Sequence, residues 1–136
     1  MLRKNMFYIM AIIMIQFLLS SCETMEKMFE ESPPVFIQKD SGKTVDLNVG
    51  REFDIGLDSN PSTGYIWTLE PYDEYVLKQV ALKYKRYAEK IGSGGLRRYV
   101  FQVVGVGKTT LTFKYSRLWE KGIPPKKTFT LTVNSQ

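Results

Sequence analysis

From Thr44 to the C-terminal end, apolar and polar residues alternate with a period of two. Val45, Leu47 and Val49 alternate with Thr44, Asp46 and Asn48, and Phe53, Ile55 and Leu57 with Glu52, Asp54 and Asp58. Tyr65, Trp67 and Leu69 come next, then Tyr99, Phe101 and Val103, then Leu111, Phe113 and Tyr115, and last Phe129, Leu131 and Val133. Between them stand Arg98, Gln102, Thr110, Thr112, Lys114, Thr128, Thr130 and Thr132. Successive side chains of a strand point to opposite faces, so each segment has one apolar and one wet face. Strands of that kind are antiparallel, and this spacing predicts an all-β sandwich of about seven strands. Their expected bounds are 43–49, 52–58, 65–69, 76–88, 97–104, 108–116 and 127–133. The stretch from Val76 to Tyr87 alternates least cleanly and reads as one bent strand or two short ones.

Successive antiparallel strands reverse direction, so the loops after the second, fourth and sixth share one end of the sandwich. These are residues 59–64, 91–95 and 117–125, whereas the turns near Gly50 and at Gly105-Val106-Gly107 are short and plain. A stiff scaffold with three unusual loops at one end has the layout of a binding module. Asn60-Pro61-Ser62-Thr63-Gly64 has tight-turn chemistry: Pro61 presets φ, Asn60 bonds nearby backbone, and Gly64 tolerates positive φ. Taken alone it is a turn between strands; as a site it holds the Ser62 and Thr63 hydroxyls forward. Gly92-Ser93-Gly94-Gly95 has almost no side chain, so it reads as a flexible link or as backbone able to lie against a partner. It lacks the strand-to-helix setting of a phosphate loop. Arg117 and Trp119 continue the side on which Tyr115 projects, beyond the core, and both residue types are enriched at interface hot spots. A tryptophan folded back over the sandwich end is the plainer reading. Trp67, in mid-strand, belongs to the core.

The ordered set resembles the chagasin family of cysteine-peptidase inhibitors, whose pattern is an Asn-Pro-Thr-Thr-Gly-aromatic loop, a glycine-rich loop and an Arg-Pro-Trp loop. Here these are Asn60-Pro61-Ser62-Thr63-Gly64-Tyr65, Gly92-Ser93-Gly94-Gly95 and Arg117-Leu118-Trp119, with Ser62 for a threonine and Leu118 for the proline. The resemblance spans residues 40–133. It implies an immunoglobulin-like sandwich that inhibits papain-like cysteine peptidases reversibly and competitively, as a monomer, by wedging its three loops into the active-site cleft. Ser62 and Thr63 are then expected over the catalytic cysteine, the glycine loop along the unprimed side, and Arg117 and Trp119 on the primed side. Leu118 lacks the fixed φ of proline, so a less preorganised third loop is expected. The other reading is an immunoglobulin-like surface lipoprotein that binds another protein or a glycan.

Composition narrows the chemistry. The chain has 136 residues, the size of one domain, with one cysteine and no histidine. No Ser-His or Cys-His nucleophile system, imidazole zinc site or disulfide can form within it. Asp54, Asp58, Asp73 and Glu74 give no convergent carboxylate pair and no calcium cluster, so neither an enzyme nor a cofactor is expected.

The N-terminal part adds a destination. Arg3 and Lys4 precede residues 6–19, an apolar run broken only by Gln16, which is followed by Leu19-Ser20-Ser21-Cys22. As a helix fourteen residues rise about 21 Å, short of the ~30 Å hydrocarbon core, so a secretory signal fits better than a permanent span. Leu19-Ser20-Ser21-Cys22 resembles the bacterial lipobox, which implies lipidation of Cys22 as the mature N-terminus. An uncleaved anchor, or an ordinary signal with an incidental cysteine, is the alternative. Glu23 resembles the outer-membrane sorting pattern. The expected organisation is a signal peptide over 1–21, a lipidated tether over 22–34 and the inhibitor domain over 35–136. Removing residues 1–21, with Arg3 and Lys4, reduces 19 basic against 14 acidic residues, a net +5, to 17 against 14, or +3. A balance that small gives no case for nucleic acid.

Overall fold

The alternating segments pair into two four-stranded sheets facing one another across an apolar core. The strands of this computed structural model, which describes residues 32–136, are β1 (Val35–Ile37), β2 (Lys43–Leu47), β3 (Glu52–Ser59), β4 (Ile66–Leu69), β5 (Leu77–Arg86), β6 (Gly95–Val103), β7 (Gly107–Ser116) and β8 (Lys127–Ser135). One sheet has the order β1-β3-β6-β5 and the other β2-β8-β7-β4. The expected signal, Cys22 and the tether as far as residue 31 lie outside the described residues.

The alternation decides what fills the space between the sheets. Phe53, Ile55 and Leu57 of β3 and Tyr99, Phe101 and Val103 of β6 face Leu111, Phe113 and Tyr115 of β7 and Phe129, Leu131 and Val133 of β8, all buried. Phe113 sits centrally, its ring 4.6 Å from Tyr99, 6.4 Å from Phe101 and 6.2 Å from Phe129. Tilted and edge-on rings at such distances add to the area term. Trp67 joins this core and donates its indole N–H to the Asp58 carbonyl at 2.9 Å. All the strand pairing and the whole core fall within one compact unit, Pro33–Gln136.

Two features differ from the sequence expectation. There are eight strands rather than seven, because β1 pairs with β3 through Val35↔Asp54, Phe36↔Ile55 and Ile37↔Gly56. Two pairings are parallel rather than antiparallel, β1 with β3 and β2 with β8. The cause is a sheet switch: a 3-10 turn at Gln38–Asp40 carries the chain from the edge of one sheet to the edge of the other. Buried Asp40 fixes that turn, accepting the Ile37 N–H at 2.8 Å and the Lys43 ammonium at 2.7 Å. The backbone hydrogen bond first, and Lys43 second, hold its carboxyl below the ordinary aspartate value of 3.8. Of the two readings left open for Val76 to Tyr87, β5 is the single bent strand, its register shifting between Gln79 and Ala81. That bulge sets Gln79 opposite Phe101 but Ala81 opposite Val100, so the strand changes face there, which breaks the period.

The direction of β1 positions the whole domain. Because it runs parallel to β3, the chain enters at the pole where β3 begins, and the Pro34 carbonyl accepts the Asp54 N–H at 2.9 Å. β3 ends at Ser59, at the opposite pole, beside the three loops.

Candidate functional site

The first loop is a capped turn. Asn60 precedes a 3-10 turn at Pro61–Thr63, and its side-chain oxygen accepts from the Ser62 N–H at 3.2 Å and the Ser62 hydroxyl at 2.5 Å. The Thr63 hydroxyl donates to the Asn60 carbonyl at 2.7 Å. Both hydroxyls therefore donate inward, and that of Thr63 also accepts the Tyr65 N–H at 3.4 Å. Gly64 closes the turn at φ +78°, the left-handed region. A Cβ placed there would lie 2.2 Å from Cη2 of Trp119, so this glycine also gives the indole its seat.

The second loop is longer than its glycines suggest. It leaves β5 after Arg86 and returns at Gly94, closed by the Tyr87 N–H to the Gly94 carbonyl at 3.0 Å and by the Ser93 hydroxyl to the Ala88 carbonyl at 2.6 Å. Gly92 has φ +81°. Gly95, expected in the loop, is instead buried as the first residue of β6. A Cβ on it would meet the Lys85 carbonyl at 2.4 Å and Cζ of Tyr84 at 2.7 Å, so its smallness serves strand packing. Before the glycines stands Ile91, 99% exposed. Tyr87 donates its hydroxyl to Asp58, and the carboxylate that accepts it pushes the phenol pKa up to about 12.

The third loop is braced by its arginine. The Arg117 Nε–H donates to the Thr63 carbonyl at 3.0 Å, and an NH1 proton goes to Glu120 at 3.0 Å. Its guanidinium lies 4.5 Å from the centre of the Tyr65 ring and 5.9 Å from that of Trp119. Tyr65, half-buried, stacks on Tyr115 at 5.3 Å. A stack thus rises from the core: Tyr115, Tyr65, Arg117 and then Trp119. The Glu120 N–H to Arg117 and Lys121 N–H to Trp119 bonds, both 3.2 Å, supply a restraint that Leu118 does not. Leu118 and Trp119 are left 65% and 67% exposed.

The loops are also joined to one another. Asn60 donates from Nδ2 to the Gly92 carbonyl at 3.1 Å, joining first and second; the Arg117–Thr63 bond joins first and third. Asn60 further donates its backbone N–H to the Tyr115 hydroxyl at 3.1 Å, tying the centre to the core. A Cβ on Gly94 would stand 3.2 Å from the Ser59 carbonyl, so the backbones approach closely there. Of the loop residues expected from sequence, all stand at this pole, Gly95 as the first residue of β6 and the others as turn, crest or stacked support. The sequence reading missed the Asp58–Tyr87 pair, Glu120 and the forward position of Ile91. The alternation could have pointed only to Asp58, at the outer end of its strand.

A hollow of about 930 Å³ lies at the other pole against Leu69, Tyr72 and Tyr75 and shares no residue with the loops. Among the described residues no group of three or more Cys, Asp or Glu side chains could hold a metal, and no helix is long and apolar enough to cross a membrane. Asp54 is taken by Arg98.

Comparison with known proteins agrees with this geometry. Residues 46–133 match the family model described as Chagasin family peptidase inhibitor I42. Amoebiasin-2 of Entamoeba histolytica is 33% identical over 101 residues, covering 73% of this chain and 82% of the relative. The crystal structure of a cysteine protease inhibitor from Entamoeba histolytica superposes with a TM-score of 0.69 at 28% identity, covering 76% of this chain and 95% of that one. PbICP-C, solved in complex with falcipain-2, shares the fold at a TM-score of 0.52 and 22% identity, covering 76% of this chain and 91% of its own.

Proposed function

Because the chain belongs to the chagasin family of peptidase inhibitors, we propose that its joined loops act as one wedge, filling the active-site cleft of papain-like cysteine peptidases. The chain is an inhibitor of cysteine peptidases, not an enzyme. The observation that carries the wedge is the linkage of the three loops through Asn60 and Arg117. Loops already fixed in one arrangement lose little entropy on docking, which lets an interface of about 800 Å² a side bind tightly.

The roles follow from position. Ser62 and Thr63 form the crest and would lie over the catalytic cysteine, offering lone pairs and an uncleavable turn. The backbone of residues 92–94 would pair along the unprimed side, led by the forward side chain of Ile91. Trp119 and Leu118 supply the apolar contact on the primed side, while Arg117 holds the indole in place. Titrating residues 33–136 against a panel of papain-like peptidases tests the wedge. Competitive inhibition is expected, with Trp119→Ala weakening it by more than ~1 kcal/mol; full activity of every panel member at micromolar inhibitor refutes it.

The place of action is proposed from the Leu19-Ser20-Ser21-Cys22 motif that follows the apolar run. Lipidated Cys22 would anchor the chain in the outer membrane or cell envelope of a bacterium, since more than one acyl chain makes anchoring effectively stable. Entry of the chain at the pole remote from the loops suits that arrangement. Fatty-acid labelling that persists in Cys22→Ser, or a variant still wholly in the membrane fraction, refutes this part.

A further inference from the structure

Resting on the inhibitor reading, the charge around the wedge says what kind of cleft it enters. The crest, residues 60–65, carries no charge. On one flank Arg86 and Lys90 surround a hollow of about 220 Å³ with Pro61, Ser62 and Ile91. On the other, Lys126 and Lys127 line one of about 240 Å³ beside Thr63 and Tyr65, and Lys121 stands two residues past Trp119. All five cations are exposed. Lys126 is held 5.0 Å from the centre of the Tyr65 ring and Lys127 6.0 Å from that of Tyr115.

The nearby acids offset them only in part, although Asp58 lines the same hollow as Lys126 and Lys127. Asp58 accepts from Tyr87 and Glu120 from Arg117. Residues 58–65, 86–94 and 117–127 together hold six basic residues (Arg86, Lys90, Arg117, Lys121, Lys126, Lys127) against Asp58, Glu89 and Glu120, a net of six minus three, or +3. At the other pole the charges are mixed: Glu70, Asp73 and Glu74 stand near Lys78, Arg51 and Lys108, and Glu70 pairs with Lys114 at 3.0 Å. The excess of cations therefore stands at the end that docks.

We propose that the partner is a peptidase whose cleft has an uncharged floor between two rims rich in carboxylates, and that these flanking cations steer the wedge into it. Exposed rim charges add little to affinity once they are docked, but they raise the encounter rate and orient the approach. Screening removes that gain as the Debye length shrinks.

The test uses papain in two forms, one with rim residues changed to Asp and one with rim residues changed to Lys, and stopped-flow association with residues 33–136. The Asp-rim form is expected to associate about tenfold faster at low salt, an advantage lost near 0.5 M salt. Lys90→Gln with Lys121→Gln should slow association with the Asp-rim form and leave dissociation nearly unchanged. Lys90→Glu with Lys121→Glu should reverse the preference, which a folding defect could not do. Equal, salt-independent rates for both forms, with inhibition intact, overturn the steering and leave the inhibitor reading standing. Absence of inhibition of either form, and of every other peptidase in the panel, overturns both.

Discussion

Replacing Gly64 with alanine separates two roles that one residue fills. At φ +78° an alanine is in the left-handed region, which costs about 1 kcal/mol wherever it occurs. For a domain of this size that lowers Tm by about 4–8 °C. The added Cβ also stands 2.2 Å from Cη2 of Trp119, so the indole must leave its seat over the first loop. Because Trp119 is 67% exposed, moving it removes little folded-state packing. Binding is affected instead, since a displaced hot-spot tryptophan costs about 2 kcal/mol or more, roughly a thirtyfold rise in the inhibition constant. Gly42→Ala is the control: φ is +89°, nothing lies within 4 Å of its Cβ, and it is remote from the loops. Thermal unfolding should show similar losses for the two variants, and peptidase titration should separate them. In a Trp119→Ala background, Gly64→Ala should add almost nothing to the inhibition constant. Equal inhibition by Gly64→Ala and Gly42→Ala would mean that the indole's seat on Gly64 plays no part in docking.

Other consequences are as direct. Asn60→Ala removes the cap on Ser62 and the bond to Gly92, so inhibition should weaken about tenfold while Tm shifts by only a few degrees. Asp40 has a depressed carboxyl pKa, so its stabilisation is complete above the unfolded value of 3.8 and is lost as pH falls through the folded one. Asp40→Asn should therefore be less stable than the parent at pH 6 and lose less stability on acidification below about pH 4, as followed by chemical unfolding; parallel pH profiles would contradict it. Ile91→Ser should leave Tm unchanged, since the side chain touches little, and raise the inhibition constant several-fold if the residue enters the cleft.

Most of the sandwich was legible because a strand with one buried face writes its own period. Phe53, Ile55 and Leu57, or Phe129, Leu131 and Val133, need no further information. β1 was not legible because three residues carry only one inward side chain, Phe36, and a period needs more than one repeat. The parallel pairings were hidden for another reason: alternation fixes which face is buried but not which way a neighbour runs. In β5 the bulge at Gln79/Ala81 erased the period itself. At the site, the motifs gave the three loops and their shared pole, but not the bonds between them. That Asn60 reaches Gly92, or that Arg117 reaches Thr63, depends on contacts 32 and 54 residues apart in sequence. Gly95 was misplaced because glycine serves a loop or a crowded strand equally well, and only the neighbouring Tyr84 decides.

The entry of the chain beside the start of β3 has a consequence for reach. For a chain held at Cys22, the twelve residues 23–34 span at most about 40 Å, at ~3.4 Å each. Within the domain, the length of the sandwich separates the three loops from the point at which β1 enters. A chain lipidated at Cys22 would then sweep a shell above the lipid and meet proteins that diffuse up to the surface more readily than those embedded beside it. Shortening the tether would lower that shell without altering a single contact in the cleft.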